Sequence, residues 1–257
     1  RSSRNKLFKK RKERIHPLKD DKILTDWNGL MIASLAQGGM VLNNEQYIKE
    51  AISASDFIHQ YLQQNNGRLV KRYRQGHSGI DPHINDYSFM IWGLINLYEA
   101  TFETVYLSRA LKLAKVMIED FYDKNGGFFI GSKNAEKLMV RAKEYYDGAI
   151  PSGNSAAIYC LFKLGKITGN RNWINIAHET LKAFSEQVKR NPSGFTYMLT
   201  GLFFDLSNCK ELIIVIDKNK HDYKSILKKI KKKYYPNLIT IVKDINDKNL
   251  VENIAPW

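Results

Sequence analysis

The sequence predicts a mainly α-helical protein of the six-hairpin α/α toroid type, with about half a ring of three helical hairpins and a small C-terminal βαβ unit. The main observation is a repeat of the form aromatic–aliphatic–x–x–Ala, which begins at Tyr47, Tyr106 and Trp173, at intervals of 59 and 67 residues. A turn sequence containing Gly follows each copy. Self-similarity at a long period is typical of supersecondary units that stack side by side or close into a ring.

Each repeat contains two helices of different character. The first lies in a stretch without charged residues, at 28–44, 87–98 and 148–162, and a helix that is apolar on all sides has to be enclosed by other elements. The second is amphipathic, with apolar residues at helical spacing on one face and charged residues on the other. This alternation predicts inner helices that begin near residues 26, 86 and 152, and outer helices that are half exposed. A solenoid is the competing architecture, but its two helices are usually more alike.

The pattern changes after the third hairpin. Residues 211–216 and 237–242 are aliphatic runs typical of strands, and residues 223–234 have helical spacing. We therefore expect a basic segment over 1–20 that continues from a missing upstream region, three hairpins over 21–207, and a βαβ unit over 208–257 that packs on the helices because it is too small to fold alone. The missing N-terminal half of the ring, or a second copy, is expected to cover an apolar open edge.

Composition and charge argue against several classes of function. The 257 residues include 40 Lys and Arg and 26 Asp and Glu, a net charge of +14, of which residues 1–20 carry +7 and residues 208–257 carry +5. Because this charge is terminal and is not interleaved with aromatic residues, we expect no specific binding of nucleic acid. No apolar run is long enough to span a membrane. Two distant Cys residues favour a reducing, cytoplasmic location, and we expect no metal site and no cofactor.

Polar side chains cluster in the loops that lead into the three inner helices. In an α/α toroid these loops converge on one mouth of the ring, and a sugar-binding or glycoside-cleaving cleft requires carboxylates together with aromatic rings. The acid–base candidates are Asp21, Asp86 and Asp147. The substrate-binding candidates are Trp27 and Tyr87 as stacking platforms, Arg74 as an anchor for a hydroxyl or anionic group, and Asp26, Asn28, Ser152 and Asn154 as further polar contacts.

A purely structural role explains some of the same residues. Asp26, Asp86 and Ser152 lie where helix N-caps are expected, and an N-cap needs only an oxygen that accepts backbone N–H groups. The pair Asn28-Gly29 can likewise serve a backbone requirement alone. The two interpretations differ in their geometry: a catalytic Asp86 faces a cavity, whereas a capping Asp86 is buried and paired with backbone N–H groups.

Several motifs resemble one known family. They are DDKILTDWNGLMI at 20–32, GRL at 67–69, LYEATF at 97–102, GGFF at 126–129 and DGAIPSGNS at 147–155. In this order they resemble the thioredoxin-domain-containing family of spermatogenesis-associated protein 20, over about residues 9–160. The resemblance implies a longer protein with an N-terminal thioredoxin-like domain, followed by an (α/α)6 toroid like that of N-acylglucosamine 2-epimerase and the six-hairpin glycosidases. It implies no settled reaction.

Two functions from different classes fit these observations. The first is a carbohydrate-active or carbohydrate-binding toroid with a small sugar as its partner, which would be epimerase-like or glycosidase-like if it is an enzyme. The second is a non-catalytic scaffold that presents the thioredoxin-like domain to other proteins. A polar cavity with carboxylates favours the first function, and a mouth that is filled by its own side chains favours the second.

Overall fold

A computed structural model describes residues 1–136, 139–217, 219–220, 223–231 and 235–246. Its helices are α1 (Ser2–Lys12), α2 (Thr25–Leu42), α3 (Glu45–Tyr61), α4 (Ile84–Thr101), α5 (Thr104–Phe121), α6 (Gly153–Thr168), α7 (Arg171–Ala183), α8 (Ser185–Arg190), α9 (Thr196–Leu206) and α10 (Tyr223–Lys231), and a 3₁₀ turn covers Pro192–Phe195. Its strands are β1 (Ile23–Leu24), β2 (Arg72–Arg74), β3 (His77–Gly79), β4 (Lys210–Ile216) and β5 (Leu238–Asp244).

Helices α2, α4, α6 and α9 form an inner row in which each helix packs against the next. Helices α2 and α4 run in the same direction, since Gly29 lies against the backbone of Phe89 in α4 and Ile32 lies against Gly93, one turn further along both helices. Helices α3, α5 and α7 pack on α2, α4 and α6 as their hairpin partners. The predicted inner and outer helices are confirmed, with inner helices that begin within two residues of the expected positions. Helix α9 is a fourth inner helix, and it lies inside the range 21–207 that was predicted to hold three hairpins only.

The turn inside each hairpin explains the sequence repeat. The inner helices end at Asn43, Phe102 and Gly169, which have left-handed φ angles of 51°, 60° and 68° and are again 59 and 67 residues apart. Asn and Gly adopt this conformation with less strain than other residues. In the first and third turns the next residue, Asn44 or Asn170, accepts backbone N–H groups through its side chain and so caps the outer helix.

The C-terminal segment forms the expected βαβ unit and packs on the helices. Strands β4 and β5 are parallel, with α10 between them in the chain. The Tyr98 hydroxyl of α4 donates to the carbonyl oxygen of Thr240 and accepts from the N–H of Val242, both at 3.3 Å. The predicted helix is described only to Lys231, and residues 232–234 lie outside the described residues. A short antiparallel sheet of β1, β2 and β3 joins the segment before α2 to the loop before α4.

The two ends of the inner row expose apolar side chains. On α2 these are Trp27, Met31, Val41 and Leu42, and on α9 they are Phe203 and Leu206, whereas α4 and α6 between them are buried over most of their length. The basic helix α1 has no buried residue. Of the helices in the described ranges, none combines the length and the apolar character needed to cross a membrane.

Candidate functional site

The mouth, where the inner helices begin, contains a buried cluster of two carboxylates and one ammonium group. Lys71 places its Nζ 3.1 Å from Oδ2 of Asp26 and 3.6 Å from Oδ2 of Asp86. Asp86 also accepts the backbone N–H of Asp26 through Oδ1, at 3.1 Å, and that of His83 through Oδ2, at 2.7 Å. The second of these bonds belongs to a capping box with His83 at the start of α4.

This arrangement corrects the acid–base role predicted for Asp86. Its relative exposure is 0%, and both of its oxygens accept backbone N–H groups. Burial raises the pKa of Asp86 to about 7; Lys71 opposes this shift and the carboxylate of Asp26 adds to it. Asp26 lies in the first turn of α2 but is not its N-cap, which is Leu24. Asp86 is likewise not the N-cap of α4, which is His83, but its carboxylate accepts the His83 N–H from the N3 position of the capping box.

The buried carboxyl of Asp86 makes stability depend on pH in a defined direction. Its pKa of about 7 in the folded chain, against about 4 in an unfolded chain, means that the folded state binds the proton more tightly. This contribution to stability is complete below pH of about 4 and is lost as pH rises to about 7. Between these pH values we expect the free energy of unfolding of Asp86→Asn to rise by about 2–4 kcal/mol relative to the parent. Urea denaturation at several pH values measures this difference, and a difference independent of pH would contradict the titration.

The third predicted acid–base residue, Asp147, also binds backbone. Its Oδ1 accepts the N–H of Ser152 at 2.9 Å, and its Oδ2 accepts those of Tyr197 and Met198 at 2.8 and 3.2 Å. These bonds join the start of α6 to the start of α9. Because Asp147 is also only 9% exposed, it is not placed to contact a substrate. Ser152 is the N-cap of α6, as expected, and accepts the N–H of Ser155.

Three predicted substrate-binding residues hold the protein's own structure. Tyr87 is fully buried; its hydroxyl accepts the N–H of Leu69 at 3.0 Å and its ring packs 5.2 Å from that of Phe121, so the predicted stacking role of Tyr87 is wrong. Asn154 is buried and bridges loops, since it accepts the N–H of Phe128 and donates to two carbonyl oxygens. Asn28 donates to the carbonyl oxygen of Leu24 and so tightens the start of α2.

Three predicted residues remain accessible at the mouth. Trp27 is 64% exposed, and Asp21 and Arg74 form an ion pair of 2.5 Å with both side chains partly exposed. Arg74 belongs to β2. This strand pairs with β1, which lies directly before α2 in the chain. Of the predicted site residues, one aromatic ring and one ion pair are therefore accessible at the mouth, while the other two acid–base candidates are enclosed.

A second candidate site lies on the concave side of the inner row. All four inner helices and the βαβ unit line a cavity of about 250 Å³, which we call the concave cavity. Its lining includes the aromatic rings of Trp92, Tyr159 and Tyr197, and its opposite wall comes from Tyr235 and Leu238 among others. The polar lining residues are Gln37, Asn96, Glu99, Lys163, Thr200 and Thr240.

Lys163, which is buried, and Glu99, which is partly exposed, form an ion pair in the concave cavity. Nζ of Lys163 lies 2.7 Å from Oε1 of Glu99 and donates to the hydroxyl of Tyr159 at 3.4 Å. Burial disfavours the charged ammonium, but the Glu99 carboxylate and Tyr159 outweigh it and raise the pKa of Lys163 above its usual range. Lys163 therefore stays protonated, with Glu99 as its counter-ion.

The sequence contains a signal for this pair. The uncharged stretches at 87–98 and 148–162 end directly before Glu99 and Lys163, which have opposite charges. A charged residue next to an enclosed stretch has to be paired, so the two residues were candidates for one another. In the described ranges, His, Cys, Asp and Glu residues form no group of three that could hold a metal ion.

The sequence comparisons agree with the predicted resemblance. No family model matches the sequence. Human spermatogenesis-associated protein 20 is 32% identical over 267 residues, an alignment that covers 100% of this chain and 34% of the human protein. The chain is similar to spermatogenesis-associated protein 20 along its whole length. The rat protein is 31% identical over 263 residues, which cover 98% of the chain and 33% of the rat protein. The chain thus spans about one third of the length of these relatives.

Solved structures with similar folds are α/α toroids. A family 76 α-mannanase of Bacteroides thetaiotaomicron superposes with a TM-score of 0.58 and 16% identity, over 84% of this chain and 59% of that chain. Cellobiose 2-epimerase from Bacillus thermoamylovorans superposes with a TM-score of 0.55 and 16% identity, over 67% and 47%. The predicted fold class is confirmed, and this chain corresponds to about half of each toroid.

Proposed function

We propose that this chain is the carbohydrate-binding part of an α/α toroid, and that the ligand lies in the concave cavity. The observation that carries this proposal is the lining of that cavity, where aromatic rings lie beside polar side chains. Trp92 and Tyr197 have ring centroids 4.6 Å apart, and Asn96, Gln37 and the Glu99–Lys163 pair line the same space. Aromatic faces suit the apolar side of a sugar ring, and a few convergent polar groups orient its hydroxyls.

The described lining supports binding more directly than bond cleavage. Glycoside hydrolysis commonly uses two carboxyl groups on either side of the scissile bond. Among the described lining residues, Glu99 is the one carboxylate, and it already pairs with Lys163. Hydrolysis or epimerisation would therefore draw on further groups of the longer protein, and the role that we assign to this chain is recognition of one sugar ring.

The accessible residues of the mouth are separate from the concave cavity. Trp27 lies in the first turn of α2, whereas Gln37, Met40 and Val41 near the other end of that helix line the cavity. We assign Trp27, Asp21 and Arg74 a contact surface of their own that does not touch a sugar in the cavity, and we assign Asp26, Asn28, Ser152 and Asn154 the role of holding the mouth loops in place.

Two tryptophan variants separate the concave cavity from the mouth. We expect Trp92→Ala to weaken binding of a monosaccharide at least about tenfold, or about 1.4 kcal/mol, because a stacking surface is lost. Trp27→Ala is the matched control and should change this affinity less than about threefold, since Trp27 is exposed outside the cavity. Saturation-transfer NMR with glucose, mannose and galactose measures both, with circular dichroism as the check on folding. Loss of binding in Trp27→Ala but not in Trp92→Ala would move the site to the mouth.

The second candidate function is a non-catalytic scaffold. It is favoured by Asp86 and Asp147, whose carboxylates bind backbone N–H groups and fill the mouth. It is also favoured by the exposed apolar ends of α2 and α9, which fit further helices of a longer chain, a thioredoxin-like domain or a second copy. A protein that binds none of the tested sugars would support this function.

A further inference from the structure

The charge balance of the concave cavity indicates what kind of ligand it accepts. The lining contains one ammonium group and one carboxylate, Lys163 and Glu99, and its other described residues are uncharged. The two charges lie 2.7 Å apart and neutralise each other. Bringing a phosphate or carboxylate into this space would add an uncompensated buried charge, which is costly because the ion loses its hydration without gaining a free partner.

The pair also has hydrogen-bonding capacity left. Oε1 of Glu99 binds Lys163, and Oε2 has no partner within the described chain. Lys163 uses two of its three N–H donors, on Glu99 and Tyr159. Asn96 donates to the carbonyl oxygen of Ala33, and its Oδ1 has no partner among the described residues. A strong acceptor and a strong donor therefore lie side by side in a space bounded by aromatic rings.

We infer that the concave cavity selects an uncharged saccharide and that the Glu99–Lys163 pair binds two neighbouring ring hydroxyl groups. The carboxylate of Glu99 accepts one hydroxyl, and the ammonium of Lys163 donates to the adjacent oxygen. The spacing of the two charged groups is similar to that of adjacent hydroxyl oxygens on a pyranose ring. This inference rests on the proposed function and adds the class of ligand and the residues that determine specificity.

The first experiment compares neutral and anionic sugars as ligands of the full chain without any substitution. Saturation-transfer NMR compares glucose with glucuronate and glucose 6-phosphate, and mannose and galactose with their corresponding acids and phosphates. We expect the neutral sugar to bind at least about tenfold more tightly than either anion, and removal of either of two neighbouring hydroxyls to weaken binding about tenfold, the size of a hydrogen bond to a charged group. Anions that bind as well as the neutral sugar would overturn the inference and leave the proposed function standing.

Variants of the pair test the assignment to residues. Glu99→Gln leaves the Lys163 charge unbalanced, so the ratio of neutral-sugar to uronate affinity should fall at least about tenfold. Because removal of one partner of a buried pair can unfold a protein, the double variant Glu99→Gln/Lys163→Met provides a charge-balanced alternative. It should fold, lose at least about tenfold in neutral-sugar affinity, and gain no affinity for anions. Lys166→Met is the control, since Lys166 lies on the same helix but pairs with Asp205 outside the cavity.

The possible failures are distinguishable. If neutral sugars bind and the double variant binds them as well as the parent does, the Glu99–Lys163 assignment is wrong and the proposed function stands. If Lys166→Met loses as much affinity as the double variant, the effect is a general one on the fold and the assignment is also wrong. If the parent chain binds no saccharide of the series, the proposed function fails and the inference fails with it.

Discussion

Gly29→Ala is expected to destabilise the chain by about 3 kcal/mol or more, enough to leave a marginally stable domain largely unfolded. Helices α2 and α4 cross at Gly29, and a Cβ atom there would lie 2.5 Å from the carbonyl carbon of Phe89 and 2.6 Å from the N atom of Met90. These are backbone atoms, so no rotamer change relieves the overlap, and α4 itself would have to move. Interiors at crystal-like packing density do not absorb such a shift cheaply.

A second glycine of the same helix provides the matched control. A Cβ on Gly38 would meet the side chain of Tyr47 at 3.8 Å, an ordinary van der Waals contact. Gly38→Ala should therefore stabilise the chain by about 0.5–1 kcal/mol, because Ala loses less backbone entropy than Gly in a helix. Urea denaturation of both variants measures the difference. Equal effects of the two substitutions would show that α2 and α4 do not approach each other as described.

Asp147→Ala is expected to cost about 3 kcal/mol or more, although Asp147 was predicted as an acid–base residue. The substitution leaves three backbone N–H groups, those of Ser152, Tyr197 and Met198, without their acceptor in a mostly buried place. Each unsatisfied buried donor costs about 1–3 kcal/mol. Because these groups begin α6 and α9, hydrogen exchange should show the first turns of both helices opening more often.

Asp21→Ala is the matched control, because Asp21 is an exposed carboxylate in an ion pair whereas Asp147 is a buried one that binds backbone N–H groups. Asp21 pairs with Arg74 at the surface, and exposed ion pairs contribute about 0–1 kcal/mol, so Asp21→Ala should hardly change the melting temperature. The comparison holds the chemistry of the substitution constant and changes only the surroundings. If Asp147→Ala melted with the parent while it lost sugar binding, the capping role would be contradicted and the acid–base role of Asp147 restored.

The helical architecture was predictable because it depends on patterns that repeat along the chain. The left-handed residues at Asn43, Phe102 and Gly169 recur at the same intervals as the aromatic repeat, and enclosed helices have to lack charge. Helix α9 has an uncharged stretch at residues 191–204, which is longer than the one at 87–98, but no copy of the aromatic–aliphatic–x–x–Ala repeat follows it to mark a fourth hairpin. Its place in the inner row depends on packing against α6, which is a tertiary contact.

The candidate site was less predictable, because the same residue types cap helices and bind sugars. Sequence position placed Asp86 and Asp147 at the mouth correctly, but it did not reveal that backbone N–H groups occupy their oxygens. Tyr87 follows Asp86 directly, yet its ring is directed to Phe121 of the outer row. The Glu99–Lys163 pair depends on the register between α4 and α6, which no local pattern specifies. Only their position at the ends of uncharged stretches was visible beforehand.

The most direct test of the proposed function is a crystal structure of the full protein with a bound monosaccharide. We expect the sugar ring in the concave cavity, in contact with Trp92, with two neighbouring hydroxyl groups within hydrogen-bonding distance of Glu99 and Lys163. A sugar bound instead at the mouth against Trp27, with the concave cavity filled by protein side chains, would contradict this placement of the site.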